Sequence, residues 1–89
     1  MADYKLVPSK SFLKDLAKLP DSIRSKAAKE LHGLKKDPYS GRNVKKLTNF
    51  DIGMYRLRIG DFRLRYDVEG SDIYLRIIKH RKDVYRKKL

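Results

Sequence analysis

Tyr55-Arg56-Leu57-Arg58-Ile59-Gly60-Asp61-Phe62-Arg63-Leu64-Arg65-Tyr66 is the stretch that decides the fold. Apolar and basic residues alternate on both sides of Gly60-Asp61, the period of a strand with one buried face. Gly60-Asp61 suits a two-residue type I′ or II′ turn. Such a turn sets Tyr55, Leu57 and Ile59 against Tyr66, Leu64 and Phe62 as one complete apolar face. The other face receives Arg56 and Arg58 against Arg65 and Arg63. Side chains directly opposed across an antiparallel pair lie about 4.5–5.5 Å apart at Cβ, where like charges repel. Two stacked arginine pairs stabilise a hairpin poorly unless an anion rests on them, and the guanidinium fork grips phosphate with two bonds.

The reading extends in both directions. Glu69-Gly70-Ser71-Asp72 is a turn; beyond it Ile73, Leu75 and Ile77 point to the apolar face, and Tyr74, Arg76 and Ile78 the other way. A four-residue loop there brings Arg76 beside Arg65, so that five arginines share one face bordered by Tyr74. His80, Arg81, Lys82, Tyr85, Arg86, Lys87 and Lys88 follow in the tail. Upstream, Tyr4-Lys5-Leu6-Val7 reads as a short edge strand ended by Pro8. Ser9 or Ser11 caps a helix with Phe12, Leu13, Leu16 and Leu19 on one side, ended by Pro20. Asp21 or Ser22 caps a second helix with Ile23, Ala27, Leu31 and Leu34 in a stripe, stopped at Asp37-Pro38. His32, beside that stripe without a second ligand at metal spacing, is structural or merely exposed. Residues 38–50 read as a connector anchored by Val44 and Leu47, with Arg42, Lys45 and Lys46 within reach of a phosphate chain or simply solvated.

Composition bounds the function. Eighty-nine residues make one domain, 1–89, with a small core. No apolar run is long enough to span a membrane. The start Met1-Ala2-Asp3-Tyr4-Lys5 lacks a signal-peptide pattern, so the expected location is the cytoplasm. The absence of Cys excludes disulfides and Cys-ligated zinc or iron–sulfur centres. Twenty-three basic against 11 acidic residues give a net charge of +12. That excess opposes compaction and points to a polyanionic partner, nucleic acid first. Residues 42–89 hold 14 basic and 6 acidic residues, so the functional surface belongs mainly to the second half.

An arginine platform with aromatic neighbours suits single-stranded RNA, offering fixed charge for phosphates and rings for stacking. Cleavage by a neighbouring 2′-hydroxyl needs a proton acceptor, charge on the pentacoordinate phosphate and a proton for the leaving oxygen. Arginines can supply the second need. His80 and Tyr85 are the titratable candidates for the others; histidine titrates near neutrality unaided, and tyrosine needs its anion favoured by nearby cations. With no carboxylate-rich constellation, the expected chemistry uses no metal and no cofactor.

At these residues the sequence resembles the RelE/ParE superfamily of toxin–antitoxin toxins. The hairpin 55–66 looks like its central hairpin, His80-Arg81-Lys82-Asp83-Val84-Tyr85 like its C-terminal motif, and Phe12-Leu13-Lys14-Asp15-Leu16 and the Val44-to-Leu47 anchor fit too. The resemblance implies a RelE-like α+β fold, β-α-α-β-β-β, with two antiparallel helices packed on a small antiparallel sheet. It implies an mRNA interferase that cuts mRNA in the ribosomal A site, leaving a 2′,3′-cyclic phosphate and a 5′-hydroxyl. It implies a RelB-like antitoxin, and operator DNA contacted only through the toxin–antitoxin complex. By position, Arg63 and Arg81 are assigned to transition-state charge and leaving-group contacts, and Tyr85 to general base or stacking platform. Histidine near this place serves some members, so His80 stays beside Tyr85 as a candidate base. Arg56 and Arg58 position phosphates, where members often carry lysine; Arg65, Arg76, Lys45, Lys46 and Lys82 complete the RNA-binding set. ParE-type members poison DNA gyrase without cutting RNA, and a non-catalytic RNA-binding module is the third reading.

Overall fold

The hairpin at the middle of the sequence is also the middle of the sheet. The computed structural model describes residues 3–41, 43–47 and 53–84. The elements are β1 (Lys5–Pro8), α1 (Lys10–Ala17), α2 (Asp21–Leu34), β2 (Val44–Lys46), β3 (Tyr55–Ile59), β4 (Phe62–Glu69), β5 (Asp72–His80) and α3 (Arg81–Val84). The strands lie in the order β1-β5-β4-β3-β2, with β1 parallel to β5 and every other pairing antiparallel. The α+β architecture expected from sequence is therefore present, and two pieces are added to it. Val44–Lys46, read as connector, forms the edge strand beside β3. A short terminal turn of helix, α3, follows β5. Among the described residues no helix is long and apolar enough to cross a membrane.

The β3–β4 register is the one the alternation dictates: Tyr55 faces Tyr66, Leu57 faces Leu64, Ile59 faces Phe62, and Gly60 takes a φ of +60 in the turn. The β4–β5 register departs from expectation. Glu69 pairs with Asp72 across Gly70-Ser71, but a bulge between Arg65 and Tyr66 shifts the ladder, so Tyr66 faces Leu75 while Arg65 faces Ile77. Arg76 is the extra residue and does not stand beside Arg65. After the bulge the faces exchange: Ile78, expected outside, is buried opposite Leu64, and Ile77 is only half-buried. Two adjacent isoleucines allow either register, and the one that buries Ile78 against the core prevails.

Phe12, Ala27 and Leu34 from the helices and Leu19 from the α1–α2 connection meet Leu57, Ile59, Leu64, Tyr66, Ile73, Leu75 and Ile78 from the sheet in one core. Leu13, expected on the α1 stripe, is 50% exposed. The stripe runs through Phe12 and Leu16, and a residue next to Phe12 is turned about 100° away from it; α1 ends at Ala17, so Leu19, expected on the same stripe, packs from the connection that follows. Ser9 caps α1 by accepting from the Phe12 N–H and donates to the Arg76 carbonyl, tying the helix to β5. Neither Asp21 nor Ser22 caps α2: Pro20 holds the entry position, and Asp21, the first helical residue, pairs with Arg24. β1 ends at Pro8, and the N–H of Ile78 farther along β5 is taken instead by the Asp15 carboxylate of α1 at 3.1 Å. Tyr66 Oη donates to the Pro38 carbonyl at 2.5 Å, and burial pushes its phenol above the ordinary tyrosine range. His32 is exposed.

Candidate nucleic-acid interface

Away from the helices, the sheet carries a basic face built from cross-strand neighbours. Arg56 faces Arg65 and Arg58 faces Arg63, as the alternation requires. β2 adds Lys45 opposite Arg56, and β5 adds Lys79 opposite Arg63. Lys45 and Arg58 are exposed, while Arg56 and Arg63 are half-buried. Lys46 pairs with Tyr55 and so belongs to the opposite side of the sheet. Lys79 is drawn to Asp15, its Nζ 2.8 Å from the carboxylate. Sequence reading passed over Lys79 because only the bulge brings it into the Arg63 row.

Two of the expected platform arginines serve the scaffold instead. Arg65 is 5% exposed, and its Nε donates to the Gly53 carbonyl at 2.6 Å. Gly53, at a φ of +71, lies directly against this side chain. The neighbouring Asp67 carboxylate accepts the N–H groups of Gly53 and Met54 at 2.7 and 2.8 Å and the Arg76 Nε at 2.8 Å. Burial pushes the Asp67 carboxyl up, but those backbone N–H groups and Arg76 outweigh it and hold it below the ordinary carboxylate range. Arg76 also lies 5.3 Å from the centre of the Tyr74 ring. The picture of five arginines on one open face is thereby corrected: Arg65 is roofed and Arg76 is neutralised. The exposed and half-buried members are Lys45, Arg56, Arg58 and Arg63.

Within that set Arg56 stands out. Its Nε is buried and has no hydrogen-bond partner among the described residues. A buried donor without an acceptor carries a desolvation cost, and an acceptor arriving from outside removes it. Among the described residues the Arg58 side chain reaches only the Asn43 side-chain oxygen, at 3.4 Å.

The terminal arginine joins this face through the hairpin turn. Arg63 Nη1 donates to the Gly60 carbonyl at 2.8 Å and the Phe62 carbonyl at 3.0 Å. The Arg81 N–H donates to the Asp61 carbonyl at 2.7 Å, and its Nε lies 4.0 Å from the Asp61 carboxylate. Arg63 and Arg81, 18 positions apart in sequence, thus converge on the two turn residues. Sequence reading took Asp61 as a turn former only; its part in fixing Arg81 carries no signal in a single chain. His80 pairs across the sheet with Phe62, on the side facing the helices rather than the arginines, with ring centroids 5.5 Å apart and nearly perpendicular. Lys82 is exposed on α3. Tyr85, together with Arg42 and the basic residues 86–88, lies outside the described residues.

Comparison with known proteins agrees with this geometry. The chain matches the family described as the ParE toxin of type II toxin–antitoxin system, parDE, over residues 6–85. It is 31% identical over 90 residues to Toxin RelE3 of Methanocaldococcus jannaschii, covering 91% of this chain and 94% of that protein. Among solved structures it is similar to the RelB-RelE antitoxin-toxin complex from Methanococcus jannaschii, with a TM-score of 0.74 and 27% identity over 89% of this chain and 94% of that one. It is also similar to the archaeal RelE-RelB complex from Pyrococcus horikoshii OT3, with a TM-score of 0.77 and 25% identity over 92% and 99%. A family match across nearly the whole sequence, together with a relative 31% identical over 91% of this chain, means that this chain belongs to the ParE/RelE toxins of type II toxin–antitoxin systems.

Proposed function

We propose that the protein is a ribosome-dependent endoribonuclease that cuts mRNA in the A site and is neutralised by a RelB-like antitoxin. The observation that carries this reading is the meeting of Arg63 and Arg81 at the Gly60-Asp61 turn, at the end of a basic row formed by Lys45, Arg56 and Arg58. A base takes the proton of the 2′-hydroxyl, O2′ attacks phosphorus, the P–O5′ bond breaks, and O5′ leaves with a proton. The products are a 2′,3′-cyclic phosphate and a 5′-hydroxyl, so water is not consumed and no metal is needed in the step. Lys45, Arg56 and Arg58 hold the flanking phosphates, Arg63 and Arg81 face the charge that develops at phosphorus, and Tyr85 takes the base role. Lys82 extends the contact to the strand. The antitoxin masks the basic face, and operator DNA is met only through the complex.

Purified toxin added to translating ribosomes, with mRNA 5′ ends mapped, tests the reading. New 5′-hydroxyl ends in the A-site codon are expected, and intact mRNA in the presence of folded toxin removes it. The ParE description of the matched family favours a second reading, inhibition of DNA gyrase. It predicts trapped gyrase–DNA complexes with mRNA untouched, so the same purified toxin incubated with gyrase and DNA separates the two readings.

A further inference from the structure

His80 ends β5 and immediately precedes α3. Its Nδ1 accepts the backbone N–H of Lys82 at 3.2 Å, the bond an N-cap side chain makes to the second residue of a helix. The Arg81 N–H is held by the Asp61 carbonyl at 2.7 Å, so the first two amides of the terminal turn are both assigned. The ring is steadied edge-on by Phe62. A nitrogen that accepts carries no proton, so the proton of a neutral ring sits on Nε2. Neither nitrogen then has a lone pair to spare: Nδ1 is used by Lys82, and Nε2 bears hydrogen.

We infer that His80 is a positioning residue, not the base: its Nδ1 caps the terminal turn and thereby fixes Arg81 against the hairpin turn. This inference rests on the proposed ribonuclease reading for its activity readout. It separates His80 from Tyr85, which sequence alone left side by side.

Three substitutions test it. Asparagine places a carbonyl oxygen where Nδ1 stands and is a strong capping residue; glutamine places its oxygen nearer Nε2; alanine offers neither. His80→Asn should keep ribosome-dependent cleavage within about threefold of wild type, while His80→Ala and His80→Gln lose roughly tenfold, the population effect of a missing cap. Loss of activity in His80→Asn with the fold intact, retention only in His80→Gln, or full activity in His80→Ala each overturn the inference. Hydrogen exchange at the Lys82 amide gives a readout independent of cleavage. Protection in wild type and His80→Asn, absent in the other two, is expected even if the protein cuts no RNA; equal exchange in all four removes the cap. Failure of the ribonuclease reading therefore shows as inactive wild type with the exchange pattern preserved.

Discussion

Arg65 and Gly53 approach so closely that a Cβ on the glycine would stand 2.9 Å from the Arg65 Cβ and 3.3 Å from its Nε. The approach lets Arg65 Nε reach the Gly53 carbonyl, and a φ of +71 lets Gly53 turn its own N–H toward Asp67. Gly53→Ala meets both obstacles at once, a left-handed backbone and backbone-proximal atoms that cannot swing aside. It should lower stability by about 1–3 kcal/mol, read as a fall in melting temperature. An unchanged melting temperature would mean that residues 53–54 do not rest on Arg65 in solution.

Asp67 links the same segment to β5, and its titration should appear in the acid limb of stability. Its folded pKa lies below the ordinary 3.8. The sign follows from linkage: a depressed carboxylate contributes fully above its unfolded pKa and loses that contribution as pH falls through the folded one. Asp67→Asn should therefore be less stable than wild type at neutral pH, with a gap that narrows below pH 3.8. Urea melts at several pH values measure this; a gap independent of pH would assign the loss to packing rather than to charge.

The hairpin 55–66 was legible because a period of two on both sides of a two-residue turn leaves one register that buries Leu57, Ile59 and Leu64 together. The α2 stripe was legible for the same reason at a period of 3.6, and Ala27 and Leu34 are buried as expected. What escaped lies where two local solutions are nearly equal. Ile77-Ile78 fits either face, and the bulge that decides between them also moves Arg76 away from Arg65. Val44–Lys46 has too few residues to display a period, so pairing with β3 alone makes it a strand. Arginines on one strand face look alike in sequence. Whether one is roofed, as Arg65 is, or left with an idle donor, as Arg56 is, depends on where Gly53 and Asp67 come to rest.

Arg56 should trade stability for binding. Its Nε is buried without a partner, and it faces Lys45 on one side and Arg65 on the other. Arg56→Met keeps an unbranched stem that ends near the position of Nε, and removes both the idle donor and the repulsion. The free protein should gain about 1 kcal/mol. Affinity for a single-stranded oligonucleotide should fall, with a salt slope shallower by about 0.7 for each phosphate that the variant no longer neutralises. Calorimetric melting and binding titrations at several salt concentrations measure the two effects. A less stable Arg56→Met would show that the guanidinium contributes to the fold instead of waiting for an anion.

Arg63 and Arg81 reach the Gly60-Asp61 turn from different strands' ends, so their losses should not multiply. Each alone, as Arg63→Ala or Arg81→Ala, should lower single-turnover cleavage on programmed ribosomes by about 100-fold, the scale of removing one preorganised charge from a transition state. If both groups face the same developing charge, the double substitution should cost well under the product, because the second arginine has less left to stabilise once the first is gone. Among the described residues the Arg81 side chain makes only a distant ion pair, with Asp61, and it is 58% exposed, so Arg81→Ala should leave the melting temperature nearly unchanged. Strictly multiplicative losses would place the two arginines on separate phosphates and return Arg81 to the role of a binding residue.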